Sequence, residues 1–415
     1  MSEARWTAAV CALLVTSAPA AQVLNGLDVL REGGFEPLRG LTVGVLCNQT
    51  SVTIDGEHIL DLLVDAEGVT VGAAFAPEHG IHGTADAGAQ VGDMVDDSLP
   101  YPIYSLYDTT RAPTSAELEG LDVIVCDIQG VGARFYTRLS TIGLVMDAAA
   151  VNGVPVMVLD RFNVNTGLHP EGPICEPEHF TFVGMYPIPV RYSLTIGELA
   201  QMIVAEGWID RAGEVDLTVI PCRGWRRDMP LEETGRTFRS TSPNIPTIEV
   251  ARAYLGTCFF EGTNVSEGRG TDEPFLRIGA PFIDAEAWVA ALDGLGLAGV
   301  SFEPLTFTPE PNAGSSAPKF QGEECHGVQI RITDPAALRP VHMGLAMLWT
   351  LAALHPEDLT FREAHFDRLW GTSTVREALE HLMATGEGDL EALARSWEPG
   401  VAAFWERAQR YLLCE

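Results

Sequence analysis

Short apolar runs alternate with longer helical patterns over the first half of the chain. Four of these runs are rich in β-branched residues and are short enough to be buried strands. They cover residues 41–47, 69–75, 121–126 and 154–159. Helical patterns lie between them, for example at 58–64 and 141–151. Because near-continuous apolar strands that alternate with helices are typical of a parallel sheet covered on both faces, we predict a Rossmann-like α/β domain flanked by helices.

The second half of the chain has a different pattern. The segment 243–246 contains two prolines and interrupts the preceding pattern, and helical periodicity is more frequent after it. Residues 341–354 predict a buried helix, and 328–332 alternate like a half-exposed strand. We therefore predict a second, smaller α+β domain. The predicted division is 1–22, 23–250 and 251–415.

The C-terminal end of the chain carries one apolar face of a helix. Phe404, Ala408, Tyr411 and Leu412 recur at the spacing i, i+4, i+7 and i+8. This spacing predicts a helix that packs against the rest of the protein along that face.

The first 22 residues predict either a signal peptide or an N-terminal extension. Residues 6–20 are apolar and end in the small-residue sequence Ala18-Pro19-Ala20, although Arg5 is offset by Glu3. This favours an extracytoplasmic location, secreted or periplasmic, over a cytoplasmic one. No other stretch approaches the roughly 20 apolar residues needed to span a bilayer, so we expect no stable membrane insertion.

The charge balance excludes some partners. The 415 residues include 26 Lys+Arg against 57 Asp+Glu, which gives a formal net charge of −31. A nucleic-acid-binding protein needs a basic surface, so we expect no nucleic-acid partner for this chain. Hydrophobic residues make up 46% and charged residues 20%, as in ordinary globular proteins, and the length of 415 residues predicts two domains. Lys319 is the single lysine, so a bound anion would be held mostly by arginines.

Common cofactor and nucleophile motifs are absent from the sequence. The eight cysteines form no Cys-x-x-Cys pair, and Lys319 follows proline and not the glycine of a phosphate-binding loop. The segment 130–135 has phenylalanine in place of the third glycine of a dinucleotide-binding loop. His79 and His82 lack the spacing of zinc ligands, and no Gly-x-Ser-x-Gly occurs. We predict neither a cofactor nor a metal site, and oligomeric state is not indicated.

Polar side chains follow each of the four predicted strands. In a parallel sheet the carboxyl ends of the strands lie at one edge, where α/β proteins bind their ligands. Polar loops are common, but four at one edge favour a binding site. The residues are Asn48, Glu78, His79, Asp127, Gln129, Arg134, Tyr136, Asp160 and Arg161.

A fifth polar cluster, at residues 261–272, is the densest in the chain. Its glycines would let the backbone approach a ligand closely, and its charged and amide side chains supply directional hydrogen bonds. The alternative is a polar loop that caps the interface between the two domains. The candidate contacts are Glu261, Asn264, Ser266, Glu267 and Arg269.

Together these segments resemble the NamZ-type exo-β-N-acetylmuramidases, formerly a domain family of unknown function. The resemblance extends from about Val23 to the C terminus and depends on seven segments in order. They are residues 75–80, 127–137, 158–161, 187–192, 242–246, 261–271 and 325–329. The resemblance implies a Rossmann-like N-terminal domain, a smaller C-terminal domain and a cleft between them. It also implies release of N-acetylmuramic acid from non-reducing ends of peptidoglycan fragments. Gly130 and Phe162 depart from the family pattern.

Glycoside cleavage needs a proton for the leaving oxygen and stabilisation of an oxocarbenium-like centre. Glu78 is the predicted general acid, because it follows a strand and belongs to the Pro-Glu-His-Gly motif of the family. Phe75 and Pro77 would desolvate its carboxyl group and raise its pKa, unless an arginine pairs with it. The second catalytic group stays open among four carboxylates and the 2-acetamido group of the substrate, which a tyrosine could orient. These candidates are Glu261, Glu267, Asp127 and Asp160, with Tyr136 and Tyr192 as the tyrosines.

The lactyl carboxylate of N-acetylmuramic acid should be bound by a cation. Four arginines of the matched segments are candidates, namely Arg134, Arg161, Arg191 and Arg269. Two other functions stay open at this point. Two-domain α/β clefts also serve non-catalytic sugar-binding proteins, and a metal-dependent hydrolase is the third alternative.

Overall fold

The larger part of the fold is a six-stranded parallel sheet with the strand order β3-β2-β1-β4-β5-β6. The computed structural model describes residues 22–85, 92, 99–108 and 110–414. The N-terminal segment predicted at 1–22 therefore lies outside the described residues, except for Gln22. The strands are β1 (Thr42–Cys47), β2 (Thr70–Ala76), β3 (Ile103–Ser105), β4 (Val123–Asp127), β5 (Val156–Leu159) and β6 (Leu217–Ile220). The Rossmann-like prediction is confirmed.

Helices cover the sheet, and many begin at a residue that caps them. The helices of the first half are α1 (Gly26–Glu32), α2 (Ile59–Asp65), α3 (Ser115–Leu118), α4 (Arg138–Val151) and α5 (Ile196–Ala205). At α5 the Thr195 hydroxyl accepts from the Glu198 backbone N–H, and Glu198 accepts from the Thr195 N–H. Such a capping box satisfies two backbone donors that the helix leaves free. The helices predicted at 58–64 and 141–151 correspond to α2 and α4.

The second half forms a smaller α+β unit around an antiparallel sheet of order β7-β9-β8. Its strands are β7 (Arg277–Ala280), β8 (Val300–Phe307) and β9 (Cys325–Ile332). The helices that accompany it are α6 (Ile248–Thr257), α7 (Ala285–Asp293), α8 (Pro340–Leu354), α9 (Glu363–Trp370), α10 (Thr374–Thr385), α11 (Leu390–Ser396) and α12 (Glu398–Ala408). The predicted buried helix is α8. The boundary predicted near residue 250 falls within α6.

Two expectations for this half need correction. In β9, Gln329 is buried where a half-exposed strand was predicted, because its amide groups find partners in Arg277 and two backbone carbonyls. The C-terminal α-helix ends at Ala408, and a 3₁₀ turn with half-buried Tyr411 follows it. Phe404 and Ala408 are nevertheless fully buried, as the spacing predicted.

The buried face of the last helix packs in the core of the first sheet. Phe404 and Ala408 belong to the hydrophobic core that contains Val158 of β5 and Leu199 of α5. No helix of the described residues is long and apolar enough to cross a membrane. The seven cysteines that the structure describes are free thiols.

Candidate active site

Glu78 lies just beyond the carboxyl end of β2, where the chain turns sharply. His79 and Gly80 both have positive φ angles, of 72° and 75°. The Thr137 hydroxyl donates a 2.6 Å hydrogen bond to Oε2 of Glu78. The Arg138 guanidinium donates to the Glu78 backbone carbonyl at 2.8 Å. The start of α4 therefore fixes both the backbone and the carboxyl group of Glu78.

Tyr107, which follows β3, is the second side chain that contacts the Glu78 carboxyl group. Burial, the charge of Glu78 and the hydrogen bond to it raise the pKa of Tyr107 to about 12. The phenol therefore stays protonated and acts as a donor. Arg111 lies with its guanidinium carbon 3.5 Å from the centre of the Tyr107 ring, which holds the ring in place.

The opposite wall of the site comes from the 3₁₀ helix Cys258–Gly262 and the polar loop after it. Arg269 donates to Oε1 of Glu261 at 2.6 Å, and His365 of α9 lies 3.8 Å from Oε2. Burial opposes ionisation of Glu261, but the charge of Arg269, the hydrogen bond from Arg269 and the contact with His365 outweigh it. Together they lower the pKa of Glu261 to about 2. Glu261 is therefore a carboxylate at neutral pH.

Lys319 supports this wall from behind. Its ammonium group donates to the backbone carbonyls of Phe260 at 2.7 Å and Val265 at 2.9 Å. It also pairs with Glu267 at 3.0 Å, and Glu267 lies 3.4 Å from Nε of Arg269. The single lysine thus connects the two ends of the segment that presents Glu261 and Arg269.

Lys319→Met should lower the free energy of unfolding by about 1–3 kcal/mol, because two carbonyls and one buried carboxylate would lose their donor. Chemical unfolding in urea measures this change. Arg410→Met, an exposed cation outside this network, is the control and should leave the midpoint unchanged. Equal midpoints for Lys319→Met and the wild type would contradict the supporting role.

Both walls face a cavity of about 110 Å³ between the edge of the parallel sheet and the second half of the chain. Among the residues that the structure describes, two acidic side chains face it, Glu78 from the first half and Glu261 from the second. Five of the residues predicted from the sequence line it, namely Glu78, His79, Tyr136, Glu261 and Arg269. Glu267 lies behind Arg269 and is outside the lining.

Asp127 and Arg161 form a buried pair with each other. The distances are 2.5 Å from Nε to Oδ1 and 2.8 Å from Nη2 to Oδ2. Asp160 accepts from the Thr195 hydroxyl and the Gly197 N–H at the start of α5. Burial raises the pKa of Asp160 to about 7, despite these donors. The three side chains hold strand ends and a helix start together, away from the cavity.

Arg134 and Arg191 are buried and bind backbone groups. Arg134 donates to the carbonyls of Pro173, Ile188 and Leu369, and so links the two halves of the chain. Arg191 donates to the Asn165 carbonyl and the Thr166 hydroxyl. Burial lowers the pKa of Arg191 to about 10. Neither guanidinium forms an ion pair within the described residues.

The remaining predicted residues lie outside the cavity lining. Asn48 accepts from Thr50 in the turn after β1, and the Gln129 amide donates to the Gly130 and Phe162 carbonyls. Tyr192 is buried in the core, Asn264 donates to the Asp358 carbonyl of a distant segment, and Ser266 accepts from the Gly268 N–H in its own loop.

Several cavity residues were not predicted from the sequence. Thr137 and Asn244 belong to matched segments, so the resemblance carried a signal for them. Tyr107 and His365 lie in segments without a motif, and only the tertiary structure brings them to the site.

His79 lines the cavity and is held by a backbone carbonyl. Its Nδ1 lies 2.7 Å from the Ala85 carbonyl. Burial and the Arg138 charge lower its pKa, so the ring is neutral at pH 7. Within the residues that the structure describes, no group of three or more His, Cys, Asp or Glu side chains could hold a metal ion.

Comparisons with known proteins cover almost the whole chain. Residues 43–249 match the family model described as exo-β-N-acetylmuramidase NamZ, N-terminal, and residues 252–413 match its C-terminal counterpart. The peptidoglycan β-N-acetylmuramidase NamZ of Bacillus subtilis (strain 168) is 40% identical over 393 residues, which are 94% of this chain and 91% of that protein.

Two crystal structures of DUF1343 family proteins from Bacteroides fragilis NCTC 9343 share the fold. One has a TM-score of 0.86 at 32% identity and covers 96% of this chain and 100% of its own. The other has a TM-score of 0.75 at 29% identity and covers 95% of this chain and 99% of its own.

Proposed function

The chain belongs to the exo-β-N-acetylmuramidase NamZ family of glycosidases, and on that premise we propose that it releases N-acetylmuramic acid from non-reducing ends of peptidoglycan fragments with Glu78 as general acid. One observation carries the assignment of Glu78. Its carboxyl group is held by Thr137 and Tyr107 at a cavity whose far wall presents the carboxylate of Glu261.

Glu78 is suited to protonate the leaving oxygen. A general acid must be held in one orientation within hydrogen-bond reach of the group it protonates. Thr137 occupies Oε2, and the Arg138 contact to the Glu78 carbonyl prevents the loop from shifting. In the proposed step the carboxyl proton passes to the glycosidic oxygen as the bond from that oxygen to C1 breaks, and positive charge develops on the sugar ring. A water oxygen then completes hydrolysis at C1, and a carboxylate of the site accepts the proton that this water loses.

Glu261 is suited to stabilise that positive charge. It stays ionised because Arg269 and His365 hold it in the charged form. A fixed negative charge in a partly desolvated cavity stabilises an oxocarbenium-like centre. Tyr136 lies in the same lining and could orient the 2-acetamido group of the substrate.

The proposal is tested with a chromogenic β-glycoside of N-acetylmuramic acid. The wild-type protein should release the chromophore, and the first-formed anomer, observed by proton NMR, separates inversion from retention. Binding of the glycoside without release would instead support a sugar-binding protein.

We further propose that Arg111, which stacks on the lining residue Tyr107, binds the lactyl carboxylate. Its Nη1 is buried without a hydrogen-bond partner, and no carboxylate of the described residues pairs with it. The charge of Arg269, in contrast, is already shared between Glu261 and Glu267. Arg111 was not among the arginines predicted from the sequence.

Arg111→Gln should raise KM for the muramic acid glycoside at least about tenfold, because a charge-assisted hydrogen bond would be lost. The matching N-acetylglucosamine glycoside, which lacks the carboxylate, should be affected less than about twofold. Steady-state kinetics on both substrates measure the difference, with the surface variant Arg226→Gln as control. Equal losses on both substrates would contradict this role.

Removal of metal ions should leave the activity unchanged, because the proposed chemistry uses protein side chains and no metal ion. Exhaustive dialysis against a chelator, followed by the chromogenic assay, should give a rate within twofold of the untreated protein. A loss that added zinc restores would favour a metal-dependent hydrolase.

A further inference from the structure

A second cavity, of about 510 Å³, lies at the surface where α11 and α12 meet the start of α8. Within the described part of the chain, this cavity and the candidate active site share no lining residue. Its wall combines acidic, basic and aromatic side chains. Those used below are Glu171, Arg339, His342, Arg395, Trp397 and Trp405.

Glu171 gives this cavity a buried carboxyl group that faces the charge of Arg191 and backbone N–H groups at the start of α8, and one of its oxygens lacks a hydrogen-bond partner among the described residues. The residue is 9% exposed, and its Oε1 accepts a 2.6 Å hydrogen bond from the His342 backbone N–H. Its Oε2 is buried and has no hydrogen-bond partner among the described residues. Leaving such an atom unsatisfied is costly, and a bound hydroxyl or amide group would satisfy it.

Two half-buried tryptophans supply flat apolar surface beside Glu171. Trp397 stacks on Trp370 with ring centroids 6.1 Å apart, and Arg227 lies 5.4 Å from the Trp405 ring. These contacts fix both indoles, so a ligand would lose little side-chain entropy on packing against them. A rigid indole face suits the apolar face of a sugar ring.

Two arginines of the cavity lack a carboxylate partner among the described residues. Arg339 donates to the Ala336 and Leu338 carbonyls, and Arg395 lies exposed on α11. In a chain with a net charge of −31, unpaired guanidinium groups beside a cavity are suited to a carboxylate.

We propose that this cavity is a second binding site for an acidic amino-sugar saccharide, with Glu171 accepting from its hydroxyl or amide groups, a tryptophan against its ring and Arg395 on its carboxylate. The identity of the saccharide rests on the proposed function. A depression of about 480 Å³ shares Trp397 with this cavity and gives room for a neighbouring sugar unit. Longer peptidoglycan fragments would therefore be held at this site as well as in the active cavity.

The test uses the full chain with Glu78→Gln, so that the ligand is not consumed. Calorimetric titration with a tetrasaccharide of alternating N-acetylmuramic acid and N-acetylglucosamine should show two binding events. Adding Arg395→Ala or Glu171→Gln should weaken one of them about tenfold and leave the other unchanged. Arg410→Ala, an exposed arginine outside the cavity, is the matched control. A single binding event that neither substitution alters would overturn the proposal.

A second measurement separates this proposal from the proposed function. With Glu78 intact, Arg395→Ala should leave turnover of the small chromogenic glycoside unchanged and raise KM for long fragments. Absence of turnover in the wild type would reject the proposed function, while the titration would still report on the second site. Binding of the stem peptide in place of the saccharide, or self-association that Arg395→Ala abolishes, would overturn the second site.

Discussion

Glu78→Gln should reduce kcat on the chromogenic muramic acid glycoside by at least about a thousandfold while the protein stays folded. The amide keeps the shape of the side chain and can still bond to Thr137, but it has no proton to give to the leaving oxygen. General acid catalysis contributes about 10²–10⁴-fold to enzymatic rates, which sets the scale of the expected loss. Steady-state kinetics and a thermal melt of the same sample measure rate and folding together.

The leaving group offers a sharper check on Glu78. A glycoside whose phenol leaves easily needs less protonation, so the variant should recover much of its rate on such a substrate. Glu387→Gln, a change at an exposed loop carboxyl, is the control and should behave like the wild type. Near-normal rates for Glu78→Gln on substrates with poor leaving groups would reject its assignment as the acid.

Arg269→Ala should destabilise the protein and abolish its activity. Arg269 contacts both Glu261 and Glu267, and its removal would leave two largely buried carboxylates with weaker compensation. Breaking a buried ion pair by removing one partner costs about 3–5 kcal/mol. The pKa of Glu261 should rise from about 2, since the Arg269 charge is the main factor that lowers it.

Urea unfolding measures the change in the free energy of unfolding. Its pH dependence shows whether ionised Glu261 stabilises the folded protein. In the wild type, the lowered pKa of Glu261 contributes stability above the pKa of the unfolded state, and this contribution is lost as the pH falls towards 2. In Arg269→Ala less stability should be lost as the pH falls, because the pKa of Glu261 is then closer to its value in the unfolded state. Arg331→Ala, which removes an exposed ion pair with Glu303, should change stability by less than about 1 kcal/mol. Equal effects of the two substitutions would contradict the buried network.

Sequence reasoning predicted the sheet well where burial controls composition. The strands β1, β4 and β5 each lie between two other strands of the sheet, and their continuous apolar runs are visible in the sequence. The edge strands β3 and β6 were not predicted, because one has three residues and the other is partly exposed and carries a weaker apolar pattern.

The candidate site could be predicted only where a strand end delivers the side chain. Glu78 and His79 follow β2 directly, so topology alone places them at the ligand-binding edge. Tyr107 and His365 reach the cavity through tertiary packing of a loop and a helix, which leaves no local signal. The roles of the arginines could not be predicted for the same reason. Arg134 binds backbone carbonyls and Arg269 faces the cavity, but the sequence around them does not distinguish these two roles.

The packing of Phe404 and Ala408 on the parallel sheet has a consequence for synthesis of the protein. During translation the sheet emerges first, but part of its hydrophobic surface stays open until α12 leaves the ribosome. A stalled or shortened product would expose an apolar groove and should be a substrate for chaperones and proteases.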